Sequence, residues 1–219
     1  MPKPLYVFDM DDTLINGDCA MIWNEFLVEK GIATSPYFIE EDQRLMDLYA
    51  QGKLDMQDYL NFCMAPLCNL SVEQVKDLAQ ECVERHILSK QFKQSQILIE
   101  QLARDDIDMV IISASVTFLV EAVGLKLGIP TVLGIDLVEK ENGYSAQILG
   151  IPSYREGKVT RLKAWLDAQA NRYSTLHFYT DSINDLPLCE YADYTYLVNP
   201  CPRLKAQAKQ TNWTILSWD

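Results

Sequence analysis

Three runs in this chain share one form. "PLYVFD" (4–9), "DMVIIS" (108–113) and "LHFYTD" (176–181) are short, continuously apolar stretches that each end on a polar residue. A lone run of this length does not distinguish a strand from a buried helix by period alone. Here each run is bounded by turn formers, and each repeats the same apolar-to-polar ending. That pattern reads as parallel strands buried on both faces. Weaker strands are expected at "PTVLGI" (130–135), "YTYLV" (194–198) and "WTIL" (213–216).

Parallel strands require crossover connections, and helical patterns lie between the runs. Residues 93–106 place Ile97, Leu98, Leu102 and Ala103 at helical spacing, and residues 115–128 end on Gly128, a stop signal. Residues 157–170 carry a stripe of Val159, Leu162, Trp165 and Leu166. The alternation predicts an α/β fold, a Rossmann-like, doubly wound parallel sheet. "DLVEKENGYSAQIL" interrupts it with two strand-like arms around Glu141-Asn142-Gly143, which predicts a hairpin.

Residues 18–88 contain no convincing strand. Helical patterns fill them, and Ser71 with Gln74 forms the sequence of a capping box. The expected organisation is therefore a core built from 1–17 and 89–219, with a helical cap of residues 18–88 inserted after the first strand.

Charge narrows the functional classes. The chain has 31 acidic and 19 basic residues, a formal charge of −12. That opposes binding of nucleic acid or an anionic membrane through a diffuse basic surface. No apolar run is long enough for a membrane helix, and the N-terminal run is broken by Asp9 with no cleavage site after it. Cys19, Cys63, Cys68, Cys82, Cys189 and Cys201 include no CxxC pair and read as buried free thiols. A cytoplasmic protein is expected. The sequence is silent on oligomeric state.

In an open α/β sheet, ligands bind outside the carboxyl ends of the strands. The residues expected there are Asp9 and Asp11, Ser113, then Asp181 and Asp185, with Lys158 at the start of a helix. Two carboxylates roughly 4 Å apart repel by about 4 kcal/mol at an effective dielectric near 20. A hard divalent cation with a phosphate offsets that repulsion. Magnesium suits such a site, because it prefers one or two carboxylates, water and substrate phosphate to a full protein cage. A calcium-binding EF-hand loop counted from Asp9 is excluded, since its sixth and twelfth positions are Leu14 and Ala20 rather than Gly and Glu.

"DMDDTLI", "VIISAS", "REGKVTRL" and "YTDSINDLP", in that order on those elements, resemble the haloacid dehalogenase superfamily. The likeness runs over about 180 of the 219 residues. The helical insertion and "NDLPL" are similar to its phosphoserine-phosphatase-like branch, subfamily IB, with a C1-type cap. The resemblance implies a phosphoric monoester hydrolase. Asp9 is then the nucleophile that forms an aspartyl-phosphate, and Asp11 the general acid and base. Ser113 binds a phosphoryl oxygen, with the neighbouring Ala114 beside the substrate. Lys158 stabilises the developing charge. Asp9, Asp181 and the backbone carbonyl of Asp11 hold magnesium. Asp185, Asn184 and Thr13 support these groups, Asp185 by orienting Lys158 or through water. A second carboxylate in the first motif favours phosphatase over dehalogenase chemistry.

The resemblance also speaks to the substrate. In this branch an acidic residue nine positions after the nucleophile binds the substrate's amino group, and that position here is Asp18. Phosphoserine enzymes add a cap arginine after a "GKL" turn to clamp a carboxylate; this chain has "GKLDMQDYLNF" and Asn61 at that position. An amide cannot make a charge-assisted fork to a carboxylate. The expected substrate is a small phosphate monoester with an amine and no carboxylate, such as histidinol phosphate, with Asp18, Asn61, Ser113, Ala114 and Arg155 as its contacts. Phosphoserine hydrolysis, phosphoryl transfer to a second alcohol, and non-catalytic binding of phosphate or a partner are the alternatives. Asp12 is expected to be solvated or to cap.

Overall fold

The computed structural model describes residues 2–208 and 212–219. Among them the elements run β1 (Leu5–Phe8), α1 (Cys19–Glu29), α2 (Phe38–Ala50), α3 (Met56–Met64), α4 (Val72–Cys82), α5 (Lys93–Arg104), β2 (Asp108–Val116), α6 (Thr117–Leu127) and β3 (Val132–Ile135). They continue with β4 (Leu137–Lys140), β5 (Gly143–Ile148), α7 (Glu156–Ala168), β6 (Leu176–Thr180), α8 (Leu186–Tyr191), β7 (Tyr194–Val198), α9 (Pro202–Ala208) and β8 (Thr214–Leu216).

Six strands pair in parallel in the order β3-β2-β1-β6-β7-β8. The α/β expectation holds, including the weakest strands. The continuous apolar runs have the cause proposed for them, since β1 sends Leu5 and Val7 into one core and Phe8 into the other. The first core collects Leu162 of α7, Leu188 of α8 and Leu204 of α9; the second takes Leu102 of α5 and Leu119 and Val123 of α6. Each large apolar side chain fully buried this way contributes about 1.5–3 kcal/mol. Phe178, fully buried on β6, is a position where truncation to alanine would cost about 3–5 kcal/mol.

The helices α1–α4, followed by a π-helical turn at Val83–Ile87, lie between β1 and β2. Their apolar faces are continuous with the second core through Trp23, Phe26, Leu60 and Val75. Ser71 and Gln74 close the capping box: each side chain takes the other's backbone N–H, at 3.2 and 2.9 Å. The hairpin β4–β5 reaches across to this insertion, where Gln57 Nε2 donates to Ala146 O at 2.7 Å.

The hairpin turn differs in one detail from expectation. Lys140 pairs with Gly143, so the loop is Glu141-Asn142 and Gly143 already opens β5. Gly143 has φ +142°, and a Cβ there would lie 2.3 Å from Leu70 O. Its role is close approach to the insertion rather than the turn itself. Cys19, Cys63, Cys82 and Cys189 are buried free thiols, whereas Cys68 is exposed and Cys201 half-buried. No helix of the described residues is long and apolar enough to cross a membrane.

Candidate active site

β1 is the strand from which the order turns both ways, to β2 on one side and β6 on the other. The crevice at its carboxyl end is therefore the topological switch point. Asp9 leaves the sheet there. Its backbone N–H still donates to Tyr179 O at 2.9 Å, which holds the residue on the edge of β6.

Two charged side chains and a hydroxyl converge behind Asp9. Lys158, in the first turn of α7, donates from Nζ to Asp9 Oδ1 at 2.9 Å. The same ammonium lies 2.7 Å from Asp185 Oδ1. Asp185 is held in turn by Thr180 Oγ1, which donates to it at 2.7 Å. Burial works against the Lys158 charge, but Asp185 and Asp9 more than offset it and keep the ammonium above its ordinary range. The lysine is a fixed cation.

Asp11 faces the other way. Its Oδ1 accepts the Cys19 N–H at 2.7 Å, and its Oδ2 accepts from Ser113 at 3.3 Å and Ser115 at 3.2 Å. Asp18 is the N-cap of α1, accepting the Met21 N–H at 2.9 Å. The N-terminus of α1 thus orients both carboxylates at one end of the crevice.

The crevice opens into a cavity of about 270 Å³, lined by Asp9, Asp11, Asp12, Asp18, Ala114, Ser115 and Asp181 on the acidic side. Met21, Met46, Tyr49, Leu54, Met56 and Tyr59 of the insertion form the opposite wall. Among the described residues no lysine or arginine lines it. Burial raises Asp9 well above the carboxylate range, with Lys158 pulling it down and Asp185, Asp181 and Asp11 pushing it further up. Burial likewise raises Asp181, helped by Asp12 and Asp185. One buried and one half-buried carboxylate with surplus negative charge, and one lysine already engaged, fit a small divalent cation. Among the described residues no three His, Cys, Asp or Glu side chains form a metal cluster. A two-carboxylate site completed by a backbone carbonyl and water suits magnesium better than zinc or calcium.

The sequence-predicted residues separate into three groups. Asp9, Asp11, Asp18, Ala114 and Asp181 line the cavity, and Lys158 and Asp185 back it. Thr13 is buried and donates to Asp181 at 3.3 Å rather than to Asp9. Ser113 is fully buried, with its hydroxyl between Asp11 and the Ser115 N–H; Ser115, two residues on, is the hydroxyl at the cavity surface.

Asn61 and Arg155 require correction as substrate contacts. Asn61 is on the exposed face of α3, accepts from Gln57 at 3.2 Å and does not line the cavity. Arg155 turns its guanidinium onto Gly52 O and stacks on Tyr154, which joins α7 to the insertion outside the cavity. Asn184 acts similarly, donating to Tyr49 O at 3.1 Å. Arg44 does not replace the missing cap arginine, because it is exposed and paired with Glu41 at 2.7 Å.

Ser115, Tyr49 and Tyr59 are among the lining residues that the sequence does not single out. Ser115 had a signal, because "SAS" places two hydroxyls after β2. The tyrosines are two of seven aromatics in the helical segment, of which the sequence leads one to expect one or two at the cavity without saying which.

A family model described as haloacid dehalogenase-like hydrolase matches residues 6–190. The chain is 32% identical over 222 aligned residues to a Neisseria meningitidis serogroup C (strain 8013) protein named histidinol-phosphatase, covering 99% of each. The crystal structure of a protein of unknown function from Bordetella pertussis Tohama I superposes with a TM-score of 0.89 at 25% identity, over 99% of both chains. A substrate-bound phosphoserine phosphatase shares the fold, with a TM-score of 0.71 at 18% identity, over 98% of this chain and 93% of that one. A match across nearly the whole chain, with its motifs in order on the strands that meet at one crevice, shows that the chain belongs to the haloacid dehalogenase-like hydrolase family.

Proposed function

We propose that this hydrolase cleaves a small amino-alcohol phosphate, such as histidinol phosphate, through an aspartyl-phosphate on Asp9. The observation that carries the reading is the pairing of Asp9 with Lys158 at 2.9 Å at the carboxyl end of β1, with Asp11 beside it. In this reading residues 18–88 are a cap over the core of 1–17 and 89–219.

Asp9 attacks phosphorus: a bond forms between its carboxylate oxygen and phosphorus, and the bond from phosphorus to the substrate's alkoxide oxygen breaks. Asp11 gives its proton to that oxygen, then takes one from the water that hydrolyses the aspartyl-phosphate. Lys158 faces the charge that builds on the phosphoryl oxygens. Ser115, at the cavity surface, supplies the hydroxyl for a phosphoryl oxygen, with Ser113 holding Asp11 from behind. Asp9, Asp181 and the Asp11 carbonyl would hold magnesium, which when bound neutralises part of the phosphate's charge.

Two observations favour an amine and disfavour a carboxylate on the substrate. Asp18 lines the cavity, and no cation of the described residues does. A phosphoserine carboxylate would enter a site of surplus negative charge unpaired, at a cost of several kcal/mol. The full-length relative named histidinol-phosphatase supports the same class.

Phosphate release from histidinol phosphate, phosphoserine, phosphoethanolamine and a nucleoside monophosphate, with and without magnesium, tests the reading. Asp9→Asn is the control. One amino-alcohol phosphate should stand out, require magnesium and lose turnover with Asp9→Asn. Phosphoserine as the best substrate would overturn the substrate class; full activity in Asp9→Asn would overturn the nucleophile.

A further inference from the structure

The insertion's wall of the cavity contains a polar group that the phosphoryl chemistry leaves without a task. Tyr59 of α3 lines the cavity and is 6% exposed, and its buried hydroxyl has no hydrogen-bond partner among the described residues. Buried hydroxyls are normally paired, because an unpaired one forfeits its hydration with nothing in return. Phenylalanine would pack in the same place without that penalty.

The surroundings of Tyr59 are rich in acceptors. Asp18 shares the cavity wall. Behind it, Asp42 of α2 is buried and takes the Asn24 side-chain N–H at 2.9 Å, and the Asn24 carbonyl oxygen is itself unpartnered. Burial first, then Cys63, Asp42, Asp18 and Asp11, push the Tyr59 phenol well above its ordinary value, so it keeps its proton. Three helices therefore bring carboxylates, an amide oxygen and a neutral phenol together, with no lysine or arginine of the described residues lining the cavity. The same cavity is lined by the thioethers Met21, Met46 and Met56 with Leu54 and Tyr49. Such walls suit the faces of a flat ring, and a phenol suits a polar atom at that ring's edge.

We infer that Tyr59 is a specificity-determining residue whose hydroxyl hydrogen-bonds a nitrogen at the edge of a planar heteroaromatic ring in the substrate. The inference rests on the amino-alcohol reading above and narrows it: the phosphate lies at Asp9, the ammonium at Asp18 and the ring between the methionines, against Tyr59. The unpaired hydroxyl is a binding group kept ready at the expense of the empty protein's stability.

Tyr59→Phe tests it on three substrates: histidinol phosphate, with amine and ring nitrogens; phosphoethanolamine, with the amine alone; and p-nitrophenyl phosphate, with neither. Losing one neutral hydrogen bond should raise KM for histidinol phosphate roughly 3–10-fold with kcat unchanged. The other two substrates should not change. The substrate-free variant should unfold at or above the wild-type temperature, and the upward shift on adding histidinol should shrink. Equal losses on all three substrates, no change on any, or a lower unfolding temperature of the empty variant would each overturn the inference. So would a wild-type protein that handles phosphoethanolamine as well as histidinol phosphate, although that result leaves the amine reading standing. Wild-type preference for p-nitrophenyl phosphate over both amines would overturn the inference together with the reading beneath it.

Discussion

Lys158 and Asp185 form a buried ion pair at 2.7 Å, each side chain 1% exposed, and the same ammonium reaches Asp9 at 2.9 Å. One cation thus serves two carboxylates with different tasks. Asp185, anchored by Thr180, fixes where the lysine stands; Asp9 is the carboxylate to which the proposed mechanism gives the bond to phosphorus. Removing one partner of a buried pair strands the other, at about 3–5 kcal/mol. Lys158→Met should therefore lose stability on that order, and kcat should fall at least about 100-fold. Asp185→Asn keeps a group for Thr180 and leaves Lys158 paired with Asp9, so its kcat should fall only about tenfold with KM unchanged. Steady-state kinetics beside urea unfolding separate the two. An Asp185→Asn protein as inactive as Lys158→Met would give Asp185 a direct part in the chemistry.

Asp181 is the carboxylate with the least competing employment. Among the described residues it accepts a 3.3 Å bond from Thr13 and one from its own backbone N–H and otherwise lines the cavity, raised by burial and by Asp12 and Asp185. Asp181→Asn should raise the magnesium concentration for half-maximal activity at least about tenfold. Chelation should abolish wild-type turnover, and added magnesium should restore it. Equal magnesium dependence in both proteins would remove Asp181 from the metal site.

The residues gathered at the carboxyl ends of the strands could be read from the chain because each closes a local pattern. Asp9, Ser113 and Asp181 end apolar runs, and Lys158 begins a helix. The wall opposite them could not, because it depends on which face of each inserted helix turns inward. Tyr59 and Asn61 illustrate this. Two residues on a helix point about 200° apart, so one faces the cavity and the other faces water. Asp42 was hidden for a related reason. In "IEEDQR" it looks like one more acid on a solvated face, yet it is 1% exposed and bound to Asn24.

Asp42 also carries a pH dependence. Burial, opposed by the Asn24 bond and aided by Glu25, pushes its carboxyl up to about 6. The unfolded chain binds its proton with a pKa near 3.9, so between those values the folded state holds more protons than the unfolded. This contribution is fully present below about pH 4 and is lost as pH rises towards 6. Asp42→Asn preserves an oxygen for the Asn24 donor and cannot ionise. Its stability relative to wild type should improve by on the order of 2 kcal/mol between pH 4 and pH 7.5. Urea unfolding at both pH values decides it, and a pH-independent difference would mean that Asp42 stays protonated or ionises without penalty.

The end of α2 is held to the core by three side chains. Asn184 donates to Tyr49 O at 3.1 Å, Arg203 to Ala50 O at 3.3 Å, and Arg155 to Gly52 O. These carbonyls lie at and just past the C-terminal end of α2, where acceptor capacity is left free, and a cation there also meets the negative end of the helix dipole. Tyr49 lines the cavity, so the contact fixes part of the substrate wall. Gly52 makes it possible: its φ is +71°, and a Cβ would lie 2.7 Å from Arg155 Nη2. Arg155→Ala should speed amide exchange at residues 49–54 and raise KM roughly threefold to tenfold, while single-turnover chemistry at saturating substrate stays within about twofold of wild type. Gly52→Ala attacks the same contact from the other side and should produce the same changes. Because both remove one interaction, the double variant should be little worse than either single one. Fully additive losses would mean that Arg155 and Gly52 act separately and that this contact does not hold the wall in place.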